Sequence, residues 1–306
     1  MTITPYSKES INNINTLESI LCNKNSGIKL LDNCLFSDYN ISRILHDALA
    51  GNINNKNLSF YNIRINRLFE CVNLHDENIT VPEIIDSEMF NLRKLLKDKR
   101  HYLINNFPYR KSREMLFFKK TIKDLEEIEI TLEALTYVLS NNENYCLFIQ
   151  GNQFDREIYQ KYELFVSKLF NKFKPEHARQ ENICADDGLV AASIILLKKL
   201  KKPVSIISND SGVVRRISIF NAFVSYSKEH DYFYEKMHNL LMSVGVSMYS
   251  NLTKKRMYHL FGKTNNNSLT YDLKIDDKST AFFYEISDEI NSLEQRYGKL
   301  FLKNAV

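Results

Sequence analysis

Two acids open the helix-like stretch Ala185-Asp186-Asp187-Gly188-Leu189-Val190-Ala191-Ala192, and a third, Asp210, stands where the apolar run Val204-Ser205-Ile206-Ile207-Ser208 gives out. In a parallel α/β sheet, the carboxyl ends of strands and the amino ends of the following helices lie at one edge. Asp186 or Asp187 therefore meets Asp210 in one cleft if such a sheet forms. A cleft lined by carboxylates attracts Mg²⁺ or Mn²⁺, hard ions that prefer oxygen ligands.

Two more acids have the placement to join that cleft. Ile28-Lys29-Leu30-Leu31 reads as a short buried strand ending at Asp32. Thr80-Val81-Pro82-Glu83 has the form of a capping box with proline in the first turn. The helix it opens carries Ile84, Ile85, Met89, Leu92, Leu95 and Leu96 on its apolar stripe, and Glu88 falls within that stripe. A carboxylate on an inward face is costly unless something compensates it. Singly, Asp32 and Asp210 read as turn residues, Asp186 and Asp187 as helix caps, and Glu88 as an edge residue bending out to water. Together they form a pattern, because clustered carboxylates repel one another unless a cation holds them.

The elements that must position these acids follow an α/β order. Helical periodicity is expected at 41–49, 60–68, 112–139, 159–173, 213–220, 231–241 and 288–302, and strand character at 145–149, 244–249 and 268–275. Strands alternating with helices point to a three-layer αβα sandwich around a mostly parallel sheet. The expected organisation is an N-terminal helical segment (1–26), a main domain (27–250) with a helical insertion at about 98–180, and a C-terminal extension (251–306). Eight glycines and five prolines among 306 residues argue against a turn-rich all-β protein.

The five cysteines (Cys22, Cys34, Cys71, Cys146, Cys184) show no CxxC spacing, and they read as reduced thiols of a cytoplasmic protein without a zinc site. No apolar run reaches the length of a membrane span, and the first residues lack a secretory core. The formal net charge of +4 permits an acidic partner such as nucleic acid without demanding one.

The chain resembles the PIN-domain nucleases in four motifs: Leu30-Leu31-Asp32-Asn33, Pro82-Glu83 through Glu88-Met89, Asp187-Gly188-Leu189-Val190-Ala191-Ala192, and Ile206-Ile207-Ser208-Asn209-Asp210. The resemblance covers about residues 27–250. It departs from the family pattern at Cys34, at Ser211-Gly212 and in the long segment between Glu88 and Asp187. It implies a PIN-like fold in which Asp32, Glu88, Asp187 and Asp210 ligate one or two Mg²⁺ or Mn²⁺ ions. Asp186 would be an auxiliary acid, and Ser208 and Asn209 would orient ligands or water. The implied activity is metal-dependent endoribonuclease cleavage, leaving a 5′-phosphate and a 3′-hydroxyl. Arg215 and Arg216, just after Asp210, are the expected contacts to the RNA backbone, followed by Arg110, Lys111 and Arg113, with Tyr109 or Tyr258 stacking on bases.

Two other readings stay open. One is a catalytically silent PIN-like module that binds RNA or protein through the insertion or the C-terminal tail. The other is a phosphatase- or receiver-like domain, against which Asp32 lacks the adjacent acid such sites use. A homodimer is left open, and no membrane partner is expected.

Overall fold

The computed structural model describes residues 17–23, 27–37, 56–106, 112–142, 153–174, 182–200, 204–208, 210–230, 244–248 and 276–303. In chain order its elements are β1 (Ile28–Leu31), α1 (Lys56–Asn73), β2 (Asn78–Ile79), a π-helical turn (Ile84–Met89) that runs into α2 (Phe90–Asn106), α3 (Ser112–Asn141), α4 (Gln153–Phe173), α5 (Ala185–Leu200), β3 (Val204–Ser208), α6 (Ser211–His230), β4 (Val244–Met248) and α7 (Asp277–Lys303). No described helix is long and apolar enough to cross a membrane.

The fold class expected from the sequence is corrected by this architecture. Helix accounts for 82% of the interpretable residues, so the chain is a predominantly helical protein carrying a small parallel sheet and not a three-layer αβα sandwich. Among the described residues four strands lie in the order β2-β1-β3-β4, all neighbours parallel, and β2 contributes only two residues. The physical reason lies in where the long helices find their partners. α1 packs on α3, α2 packs on α3, and α4 packs on α5 and α6, so much of the helical apolar surface is covered by other helices and not by strands. The strand expectations at 145–149 and 268–275, and the helices expected at 41–49 and 231–241, lie outside the described residues.

The helical layer is specified by side-chain chemistry as well as by apolar burial. Along the α1–α3 seam Ser59 donates to Asp124 (2.9 Å), Asn62 to Glu127 (2.7 Å), and Thr131 to Asn66 (2.8 Å). These pairs advance together along both helices, which fixes their register. Arg100 of α2 clamps Glu129 of α3 through Nε and Nη2, at 2.8 and 3.0 Å. On the other side, Phe165 of α4, Phe220 and Phe223 of α6, and Phe283 of α7 form a ring cluster.

The sheet is short but its centre is dry. All four β1 residues and all five β3 residues are buried, with Leu31 beside Ile207 in register. The first residue past β1 stays tied to β3, because the Asp32 N–H donates to the Ile207 carbonyl at 3.1 Å. That pairing brings the ends of β1 and β3 to one place.

Candidate functional site

Asp32 is held on three sides. It caps the short 3₁₀ turn Asn33–Leu35, its Oδ1 accepting from the Cys34 N–H at 3.4 Å. Its Oδ2 accepts a short hydrogen bond from the Ser208 hydroxyl at the end of β3. That hydroxyl oxygen in turn accepts the Asp210 N–H at 2.9 Å, so Ser208 joins the two strand-end acids. Asp210 caps α6, accepting the Gly212 N–H at 2.7 Å. Asn209, expected as an auxiliary residue, lies outside the described residues.

Glu88 stands on the π-helical turn. Such turns shift the angular position of a side chain and are frequent at functional sites. Burial pushes the Glu88 carboxyl up to about 7, with Asp32 as the largest charge acting on it and Asp210 adding to it, while a hydrogen bond from Asn33 works the other way. Asn33 also leaves its buried Oδ1 without a hydrogen-bond partner. Burial raises the Asp32 carboxyl above the usual range, and Asp210 raises it further. The capping box expected at Thr80 and Glu83 does not form. The Thr80 hydroxyl instead donates to the Leu31 carbonyl at the end of β1, and Glu83 turns toward α4.

The acid that reaches toward Asp210 is Asp186, while Asp187, the expected ligand, is turned to the start of α5. Asp187 is the third residue of α5 and folds back on the helix start, its Oδ2 accepting the Cys184 N–H at 3.1 Å. This is the reciprocal half of a capping box. Its Oδ1 accepts from Arg216 Nε at 2.7 Å, and both side chains are 1% exposed. Asp187 is thereby committed to the fold. Asp186, one position earlier and about 100° round the helix, points to the cleft. A β-carbon placed on Gly212 would meet Asp186 Oδ2 at 2.6 Å and Asp210 Oδ1 at 3.3 Å, so both oxygens converge over that glycine. Burial pushes Asp186 up to about 7; Arg216 opposes this, and Asp210, Asp32 and Asp187 reinforce it.

Arg216, expected at the RNA backbone, is buried against the two aspartates. Its guanidinium is buried, donates to Asp186 and Asp187 (2.8 and 2.7 Å), and stacks 4.1 Å over the Phe170 ring. Burial works against its charge, yet the two aspartates outweigh that and raise its pKa. Arg215 is half-buried on α6. Arg110, Lys111, Tyr109 and Tyr258 lie outside the described residues, as does the Arg113 side chain.

The structure thus places Asp32 and Asp210 within electrostatic reach of both Glu88 and Asp186. The donor set is all oxygen, joined by the unpartnered Asn33 Oδ1, and this chemistry fits Mg²⁺ or Mn²⁺. Among the described residues no three of these acids stand ready-made at ligating distance. No family model, curated protein or solved structure matches this chain.

Sequence reasoning missed a second acidic group behind the first. Tyr159 of α4 donates to Glu83 Oε2 at 2.6 Å, and Glu163 one turn on is pushed up to about 8 by burial and then by Glu83. The signal was present as Tyr159 and Glu163 at i and i+4 on α4, beside a glycine on α5. Gly188 is where these helices touch. A β-carbon there would lie 2.3 Å from Tyr159 Oη, 3.1 Å from Glu83 Oε2 and 3.2 Å from Glu163 Oε1. Gly188→Ala should therefore force α4 off α5 and cost about 1–3 kcal/mol in urea unfolding, the usual range for overpacking. An unchanged midpoint would show that the tyrosine swings aside freely.

Proposed function

We propose that this protein is a metal-dependent nuclease that hydrolyses RNA phosphodiester bonds at Asp32, Glu88, Asp186 and Asp210. The observation that supports this best is the convergence of four carboxylates from β1, the π-helical turn, α5 and the end of β3, with burial and mutual repulsion raising three of them. A fold accepts such a cost where a function requires it. RNA is favoured over other phosphodiesters by the motif resemblance alone, while the mild positive net charge of +4 permits any polyanion.

A Mg²⁺ or Mn²⁺ ion bound there would lower the pKa of a water and stabilise charge on the scissile phosphate. The protein's own contribution is positioning. Ser208 holds Asp32 and the Asp210 backbone in one hydrogen-bonded unit. Arg216 anchors Asp186 so that one of its oxygens sits over Gly212, while the salt link to Asp187 pins the start of α5. Asn33 orients Glu88. Arg215, half-buried on α6 and close in sequence to Asp210, is the side chain we assign to the RNA phosphates.

The test is cleavage of a mixed pool of single-stranded and structured RNA with Mn²⁺, Mg²⁺ or EDTA, comparing the native chain with Asp210→Asn. Metal-dependent cleavage that the variant loses is the expected result. Equal inertness of both proteins, with RNA still bound, would replace this reading with that of a binding module.

A further inference from the structure

Away from the carboxylate cleft, two thiols far apart in sequence are in direct contact. Cys22 Sγ lies 2.9 Å from Cys71 Sγ, across 49 residues of chain. That is about 0.9 Å beyond a covalent S–S bond of about 2.0 Å. Both cysteines are held by their neighbours. Leu17 and Leu21, in the helical turn at 17–21, are buried in the core, and the Cys22 N–H donates to the Glu18 carbonyl at 2.8 Å. The Asn78 amide donates to the carbonyls of both Leu21 and Cys71, at 3.1 and 3.4 Å, and so fixes one segment against the other. Glu18 adds a contact to Arg67 of α1 at 3.5 Å.

We propose that Cys22 and Cys71 form a redox-modification site, which hydrogen peroxide converts into a disulfide stapling the N-terminal helical turn to α1. The two thiols differ in the way this chemistry needs. Cys22 is exposed and reaches the oxidant, whereas Cys71 is buried. Burial, with Cys22 beside it, pushes the Cys71 thiol up to about 12, so it stays protonated and is not the first to react. The nearby Lys29 ammonium is buried without a hydrogen-bond partner, and Cys22 and Glu77 are the groups whose charge offsets its desolvation.

In the first step the Cys22 thiolate attacks the peroxide. An S–O bond forms, the O–O bond breaks, and the departing oxygen leaves as water after taking a proton. In the second step Cys71 sulfur attacks Cys22 sulfur. The S–S bond forms, the S–O bond breaks, and hydroxide leaves with the Cys71 proton as water. Two sulfurs give up two electrons, and one peroxide is reduced to two waters. The proposal is independent of the nuclease reading, since neither cysteine belongs to the carboxylate cleft.

The experiment treats the full chain with hydrogen peroxide, blocks remaining thiols with iodoacetamide, digests and maps the peptides by mass. The expected product is a Cys22–Cys71 linked peptide pair lacking two hydrogens, restored by dithiothreitol. The oxidised chain should melt higher than the reduced one, by on the order of 10 °C for a loop of this length. Cys22→Ser, at an exposed position, should keep the fold and abolish both the linked pair and the shift. Cys22 recovered as sulfinic acid or alkylated beside an intact Cys71 thiol, or linked to another cysteine, would overturn the proposal.

Discussion

Asp32→Asn should lose metal-dependent cleavage by about a thousandfold, the equivalent of roughly 4 kcal/mol in the barrier, and should raise the melting temperature of the metal-free chain. The two effects share one cause. Asp32 is 4% exposed, and its carboxyl is raised by burial and by Asp210, so its charge costs stability in the absence of a cation. Asparagine keeps the shape, the acceptor for the Cys34 N–H and a partner for Ser208, while removing that charge. Glu88 and Asp186, both lifted in part by Asp32, would be relieved.

The pH dependence follows in sign. A carboxyl near 7 in the folded chain and near 4 unfolded contributes stability that is complete below about pH 4 and is lost as pH rises to about 7. The metal-free native chain should therefore melt lower at pH 8 than at pH 6, and Asp32→Asn should flatten that slope. Mg²⁺ or Mn²⁺ should stabilise the native chain more at pH 8, where it displaces no protons from Glu88 or Asp186. Thermal melts at the two pH values, with metal and with EDTA, measure all of this. A variant that melts lower without metal and cleaves at full rate would remove Asp32 from the site.

Asp32 and Asp210 were legible because strand ends in parallel register define a place as well as a residue: Leu31 beside Ile207 forces the next residues together. Glu88 was legible as a carboxylate on an apolar stripe, although the π-helical turn that aims it leaves no mark in the periodicity. The choice between Asp186 and Asp187 was not legible. It depends on which acid reaches back to the Cys184 N–H, since an arginine 29 residues away from Asp187 pairs with both acids. Arg216 misled for a related reason. Two adjacent arginines on a helix face different ways, and only the tertiary fold says which is buried on Phe170. The layer count failed because alternating strands and helices give an order of elements and not what each helix packs against. Here α1 and α2 both pack on α3.

Arg216→Ala should be among the most destabilising single changes in the chain, by about 3–5 kcal/mol, because it leaves Asp187 charged and without its cation in a dry site. Asp187 cannot turn out to water, since its other oxygen is tied to the Cys184 N–H and its side chain is 1% exposed. The change also removes the guanidinium from the Phe170 ring and from Cys184 Sγ, at 4.1 and 3.2 Å. At roughly 1.5 °C per kcal/mol for a chain of this length the melting point should fall by about 5–8 °C. Adding Asp187→Asn removes the stranded charge while keeping an oxygen for the Cys184 N–H, so the double variant should recover part of the loss. Activity should decline with the fold and with the freed Asp186, and the salt dependence of RNA binding should not change. Arg215→Ala should do the reverse: a fold that melts as before, with the slope of log affinity against log salt reduced by about one unit or slightly less. An Arg216 variant that folds normally and shows the reduced slope would return that residue to the RNA surface and leave the α5–α6 anchor to other groups.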